Sequence, residues 1–165
     1  MKTLFIGGVK SGKSRMAEAY ILELSSIDKP YYLATTEFFD DEIEARVEIH
    51  KRRRNDFFIT LEEPIKLFEV LENCQRPVLI ECVTMWLNNL LYYETPEADI
   101  LQELEAVLQL SCPMVFVHNE VGLGVIPDNR LGRQFMDLSG KAAQLIGQHC
   151  DEVFFCSAGL KLKMK

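Results

Sequence analysis

Eight consecutive residues near the start could hold a phosphate chain. Gly7-Gly8-Val9-Lys10-Ser11-Gly12-Lys13-Ser14 fits the pattern G-x-x-x-x-G-K-[ST] without a mismatch. In such a stretch the glycines let backbone N–H groups turn inward around phosphate oxygens. A helix starting at the end of the loop adds about half a positive charge. Lys13 would reach the β- and γ-phosphates, and the Ser14 hydroxyl would hold Mg²⁺. Glu81 closes an apolar run, where a carboxylate could help hold the same ion. A solvated strand end is the alternative for Glu81. Against it stands the cost, on the order of several kcal/mol, of burying a carboxylate with no partner.

A second group with chemical potential is cationic. Arg46 and His50 are four residues apart and would share a helix face. Lys51, Arg52, Arg53 and Arg54 follow directly. These cations favour the neutral, nucleophilic imidazole and attract a triphosphate. A solvated basic helix end is the competing reading. Asp40, Asp41 and Glu42 suit the start of that helix through its dipole. Glu62 and Glu63 follow a strand-like run; they could accept hydrogen bonds from a guanine edge or a ribose, or cap a helix opening at Pro64. The stretch from Asn119 to Pro127 holds two glycines and a proline. It reads as a shaped loop able to cover a substrate, or as a plain connection. His118 and His149 read as scaffold. Trp86, beside Leu87, Leu90 and Leu91, reads as core.

Positioning these groups requires an alternation of strands and helices. Strands are expected at 3–7, 30–35, 57–61, 78–82, 114–119 and 153–156. Helices are expected at 13–24, 40–54, 64–73, 84–93, 96–110 and 130–150. Leu160, Leu162 and Met164 alternate with Lys161, Lys163 and Lys165, the period of a half-exposed terminal strand. Alternating β and α units imply a mostly parallel sheet flanked by helices, with ligands at the carboxyl ends of the strands. The expected fold is therefore α/β, P-loop NTPase-like, with a terminal antiparallel strand, in one domain over residues 1–165.

The chain has 165 residues and a net charge of -7, which argues against a general nucleic-acid binder. Cys74, Cys82, Cys112, Cys150 and Cys156 form no C-x-x-C pair, so neither a zinc site nor a disulfide framework is expected. No apolar run is long enough for a membrane span. The strand and loop begin at once, leaving no room for a signal peptide. A cytoplasmic location fits these features.

Blocks along the whole chain resemble one family. They are GGVKSGKS, A-T-T after the second strand, D-D-E-I-x-x-R-V-x-x-H-K-x-x-R, T-x-E-E-P, E-C-V-T-M-W-L-N-N-L-L, N-E-V-G-x-G-V-I-P-x-N-R-L-G-R-x-F-x-D and S-A-G-L. In this order they look like the bifunctional adenosylcobinamide kinase / adenosylcobinamide-phosphate guanylyltransferase family of cobalamin biosynthesis. The resemblance implies two reactions. A nucleoside triphosphate, ATP or GTP, phosphorylates the aminopropanol hydroxyl of adenosylcobinamide. GTP then guanylylates an enzyme histidine, and GMP passes to the new phosphate. It implies that His50 is the guanylylated residue. It also implies that the loop Gly7 to Ser14, the turn Ala34-Thr35-Thr36, Lys51 to Arg54, Glu62 and Glu81 contact GTP, and that the protein is a homotrimer. Departures from the family pattern are Lys10 in place of arginine, Phe57-Phe58 in place of tryptophan, Ile49 before His50, and a short connection near Glu94.

Two other functions compete. One is a P-loop small-molecule kinase without guanylyl transfer. The other is a nucleotide-gated binding module. The latter lacks N-K-x-D after a late strand, and its only D-x-x-G, Asp137 to Gly140, falls inside a helical run.

Overall fold

A computed structural model describes residues 1–25, 28–37 and 56–165. The charged helix expected over 40–54, with Arg46, His50, Lys51, Arg52, Arg53 and Arg54, lies outside the described residues. The elements are β1 (Lys2–Gly7), α1 (Lys13–Leu24), β2 (Tyr31–Ala34), β3 (Ile59–Glu62), α2 (Leu67–Leu71), β4 (Val78–Glu81), α3 (Val83–Tyr92), α4 (Glu97–Gln109), β5 (Met114–Asn119), α5 (Arg130–His149), β6 (Glu152–Ser157) and β7 (Leu160–Lys163). They build one seven-stranded sheet in the order β3-β2-β4-β5-β1-β6-β7. Every pairing is parallel except the last, β6 with β7. This is the expected α/β, P-loop NTPase-like sheet with a terminal antiparallel strand.

The central strands are apolar on both faces because both are covered. Alternate residues point to opposite sides. Leu4, Ile6, Val78, Ile80, Met114 and Phe116 join the core under α2, α3, α4 and α5. Phe5, Leu79, Val115 and Val117 join a smaller core under α1, which contributes Ala17 and Ile21. The five cysteines carry free thiols. Among the described residues, no helix is long and apolar enough to cross a membrane.

Three local expectations change. The third strand begins at Ile59, with Phe57 in a turn and exposed. The helix expected to open at Pro64 starts only at Leu67. The Glu63 carboxylate accepts from the Ile65 N–H at 2.9 Å and the Lys66 N–H at 2.8 Å, so this stretch closes a turn instead of a first helical turn. In β7 both Leu160 and Leu162 are exposed, at 74% and 67%. Lys161 is exposed as well, but its ammonium stands 5.0 Å from the Phe154 ring centre and 5.8 Å from that of Phe5. A cation over aromatic faces is favourable, so on this wholly exposed edge strand it is a lysine, not a leucine, that meets the aromatic side chains of the sheet.

Trp86 shows how α3 is held in place. It is fully buried, and its indole N–H donates to the Ile65 carbonyl at 2.6 Å, tying α3 to the β3–α2 connection. Trp86→Ala is expected to cost about 3–5 kcal/mol by urea denaturation, as large-to-small core changes of this size do. A loss below about 1 kcal/mol would show that α3 is anchored elsewhere.

Candidate active site

The phosphate loop is shaped by close backbone approach. Gly7 ends β1 level with Asn119 of β5 and Cys156 of β6. A Cβ on Gly7 would stand 2.2 Å from the Cys156 carbonyl oxygen, so no other residue fits without moving β6. The Ser11 N–H donates to the Gly8 carbonyl at 3.2 Å, and Lys10 takes a positive φ of 57°. Gly12 caps α1 at φ 93°, a region open to glycine. From outside, the Gly159 N–H donates to the Ser11 carbonyl at 3.0 Å, so the β6–β7 turn braces the loop. The first turn of α1 holds no acidic side chain. Lys13 is only 7% exposed, and its ammonium donates to the Gly8 carbonyl at 3.2 Å, arching over the loop. The Ser11 hydroxyl is buried without a partner among the described residues. That leaves a polar atom which a phosphate oxygen would satisfy. Val9 projects outward at the loop tip.

The Ser14 hydroxyl donates to Glu81 Oε1 at 2.7 Å. These two residues, 67 positions apart, thus meet at one corner of the loop. Their oxygens are the hard donors that Mg²⁺ takes, usually with phosphate oxygens and water completing its shell. Among the described residues no cluster of three or more His, Cys, Asp or Glu side chains could hold a metal by itself. A cation here would therefore share the site with its nucleotide.

Thr35 positions this carboxylate. It is fully buried; its hydroxyl donates to the Cys82 carbonyl at 2.8 Å and accepts from the Cys82 N–H at 2.9 Å. Its own N–H donates to the Glu81 carbonyl at 3.0 Å. The Asn89 amide from α3 then donates to the Thr35 carbonyl at 2.7 Å. Thr35 thereby clamps β2 to the end of β4. Ala34 sits level with both Glu81 and Glu62 in the ladder. Thr36 borders a cavity of about 450 Å³ beyond Glu81. Gly7 to Ser14 and Glu81 therefore form one corner, Ala34 and Thr36 lie beside it, and Glu62 is exposed in the same row. His50, Lys51, Arg52, Arg53 and Arg54 lie outside the described residues.

Beneath the corner is a polar network that residue types alone did not reveal. The Asn119 N–H donates to Thr84 Oγ1 at 2.7 Å. Thr84 Oγ1 lies 3.4 Å from His118 Nδ1, and His118 Nε2 faces Ser139 Oγ at 3.0 Å. These contacts join α3, β5 and α5. Burial, with the Lys13 charge adding to it, pushes the His118 pKa down to about 4. The available signal was Thr84, Asn88 and Asn89 standing in an otherwise apolar helical run.

His118 makes a pH prediction. Its ordinary value is 6.5, so an unfolded chain takes up a proton that the native imidazole refuses. The stability this contributes is fully present above pH 6.5 and is lost as pH falls towards 4, by up to about 3 kcal/mol. His118→Gln should flatten the fall in urea midpoint between pH 7 and pH 4.5. An unchanged slope would assign the acid sensitivity to other groups.

A family model described as cobinamide kinase / cobinamide phosphate guanyltransferase matches residues 3–164. The chain is 37% identical over 172 residues to the bifunctional adenosylcobalamin biosynthesis protein CobP of Pseudomonas aeruginosa, covering all of this chain and 98% of that protein. It is 35% identical over 184 residues to the bifunctional adenosylcobalamin biosynthesis protein CobU of Escherichia coli, with both covered in full. Two solved structures share the fold alone. One is the flagellar accessory protein FlaH of Methanocaldococcus jannaschii, with TM-score 0.51 and 12% identity over 99% of this chain and 77% of that one. The other is a KaiC-like protein of Pyrococcus horikoshii, with TM-score 0.52 and 11% identity over 93% and 69%. With the phosphate loop, the carboxylate that faces it and the sequence blocks beyond them all falling within the matched residues, the chain belongs to the cobinamide kinase / cobinamide phosphate guanyltransferase family.

Proposed function

We propose that this chain, as one nucleotide-binding domain, carries out two successive transfers on a corrinoid. In the first, the terminal phosphoryl group of ATP or GTP passes to the aminopropanol hydroxyl of adenosylcobinamide. In the second, a His50 ring nitrogen attacks the α-phosphorus of GTP and pyrophosphate leaves. The phosphate oxygen of adenosylcobinamide phosphate then displaces His50, giving adenosylcobinamide-GDP. Splitting the transfer through a phosphorus–nitrogen bond makes two easier displacements.

The observation that carries the phosphoryl-transfer step is the 2.7 Å contact of Ser14 with Glu81 beside a buried Lys13. Gly7, Gly8, Val9, Lys10, Ser11 and Gly12 offer backbone donors to the phosphates, and Lys13 supplies the nearest cation. Mg²⁺ held by Ser14 and Glu81 would neutralise charge on the terminal phosphates. Ala34, Thr36 and Glu62 lie along the nucleotide's path, and Thr35 acts on Glu81 through Cys82. The role of His50 rests on the R-V-x-x-H-K block and on Lys51, Arg52, Arg53 and Arg54, whose charges would stabilise the phosphoryl oxygens. The family resemblance further suggests association as a homotrimer. Free thiols and the absence of an apolar spanning helix among the described residues support a cytoplasmic setting.

Two measurements test this reading. Incubation with GTP labelled in its α-phosphate should give one acid-labile, base-stable covalent label per chain, mapped to His50. His50→Ala should lose the label and the second transfer while retaining phosphorylation of adenosylcobinamide in part. Label mapped to His118 or His149 would refute the assignment. Separately, Glu81→Gln should reduce Mg²⁺-dependent turnover at least tenfold while changing metal-free nucleotide affinity far less. Equal losses in both would make Glu81 a nucleotide contact instead.

A further inference from the structure

The S-A-G-L block is the turn between β6 and β7. Ser157 pairs with Leu160, so Ala158 and Gly159 are its two central residues. Both take positive φ, 51° and 77°, as a tight hairpin turn matched to the twist of its strands requires. Glycine adopts such angles freely, whereas alanine rarely does. An alanine kept there against its preference points to a constraint on the turn. That constraint is the bond from the Gly159 N–H to the Ser11 carbonyl, 3.0 Å long. Gly12 leaves room for it, since a Cβ on Gly12 would stand 3.3 Å from the Gly159 Cα.

The bond orients a whole peptide unit. The Ser11–Gly12 peptide is trans, so its C=O and N–H point opposite ways. With the carbonyl turned out to Gly159, the Gly12 N–H turns away from the hairpin and into the loop. Among the described residues no group accepts it. The neighbouring Ser11 hydroxyl is likewise buried without a partner there. We propose that Gly159 is a positioning residue of the phosphate site: its N–H, acting through the Ser11 carbonyl, aims the Gly12 N–H at the phosphate chain. This rests on the nucleotide-binding reading given above. Side chains as well as the ladder fix the hairpin that does the aiming. The Lys161 ammonium lies 5.0, 5.8 and 5.9 Å from the ring centres of Phe154, Phe5 and Tyr20. The Lys163 ammonium and the Tyr20 hydroxyl both donate to the Glu152 carboxylate. The turn is thereby held to β1, α1 and β6, the elements from which the loop itself springs or against which it packs.

The test removes one N–H from the full chain. Residues 1–155 as a thioester are joined to a synthetic segment 156–165 through Cys156, which leaves the natural sequence at the junction. An ester in place of the amide at Gly159 deletes the donor to Ser11. The same change at Met164, whose N–H donates to the Val153 carbonyl at 2.8 Å, deletes a comparable bond just past the far end of β7. The Gly159 ester should raise Kd for GTP and for inorganic tripolyphosphate alike, at least fivefold by calorimetry. The Met164 ester should leave both within twofold, although each ester lowers the urea midpoint. Equal effects of the two esters, or no effect at Gly159, would overturn the positioning role. A loss for GTP with none for tripolyphosphate would also overturn it, because the defect would then lie outside the phosphate cradle. In the unmodified chain, coupling is reciprocal, so tripolyphosphate should slow exchange of the Gly159 amide proton at least tenfold more than that of Met164. Equal slowing of the two would overturn the role even where the ester protein does not fold. Failure of the unmodified chain to bind GTP or tripolyphosphate would instead overturn the nucleotide-binding reading, and the positioning role with it.

Discussion

The hydrogen bond from Ser14 to Glu81 joins the first turn of α1 to the tip of β4 across the intervening β5. It forms only if three strands end at matched heights. Gly7 sets the level of β1 against β6 by tolerating an approach that a methyl group would forbid. Thr35 holds the end of β4 through both backbone groups of Cys82. A slip of one residue in the pairing of β4 with β2 would send the carboxylate to the other face of the sheet. The chemistry of the corner therefore depends on backbone register more than on any side chain next to it.

The two faces of the sheet divide the work of support. The α1 face is thin, with Ala17 and Ile21 seated on Phe5 and Val117. Small contacts there let the helix N-terminus come close to the strand tips. The opposite face carries the larger core, including Trp86, Leu87, Leu104 and Ile146. On that side α3 begins directly after β4, with Cys82 as its N-cap. Bonds from Trp86 to Ile65 and from Asn89 to Thr35 and Pro64 draw α3 along the strand tips.

Polar groups buried between the layers add specificity of position. His118, Thr84 and Ser139 would each cost stability if left unsatisfied, and together they satisfy one another. Because one member comes from α3, one from β5 and one from α5, the network has low energy only when all three elements are docked in a single arrangement. Asn119 at the cavity floor is fixed through the same Thr84 hydroxyl. A neutral imidazole beneath a cationic lysine also avoids adding a second positive charge under the phosphate site.

Much of this was legible in the chain itself. The phosphate loop is eight consecutive residues whose conformation is set by local glycine freedom, so its form survives in the bare sequence. The alternation of apolar runs with helical spacing determined a parallel, helix-covered sheet, and the ordered sequence blocks determined the family. What folding decided was everything joined across distance. Glu81 stands 67 residues from Ser14, and strand order alone brings them together. Glu63 closes a turn where Pro64 suggested a helix start, and on β7 Lys161, not Leu160 or Leu162, meets the aromatic side chains of the sheet. His118, an ordinary histidine in a strand by its neighbours in sequence, becomes a neutral link between layers. Local propensity acts over a few residues, whereas register, burial and hydrogen-bond satisfaction are set by which strands pair, and that pairing is settled by the whole core at once.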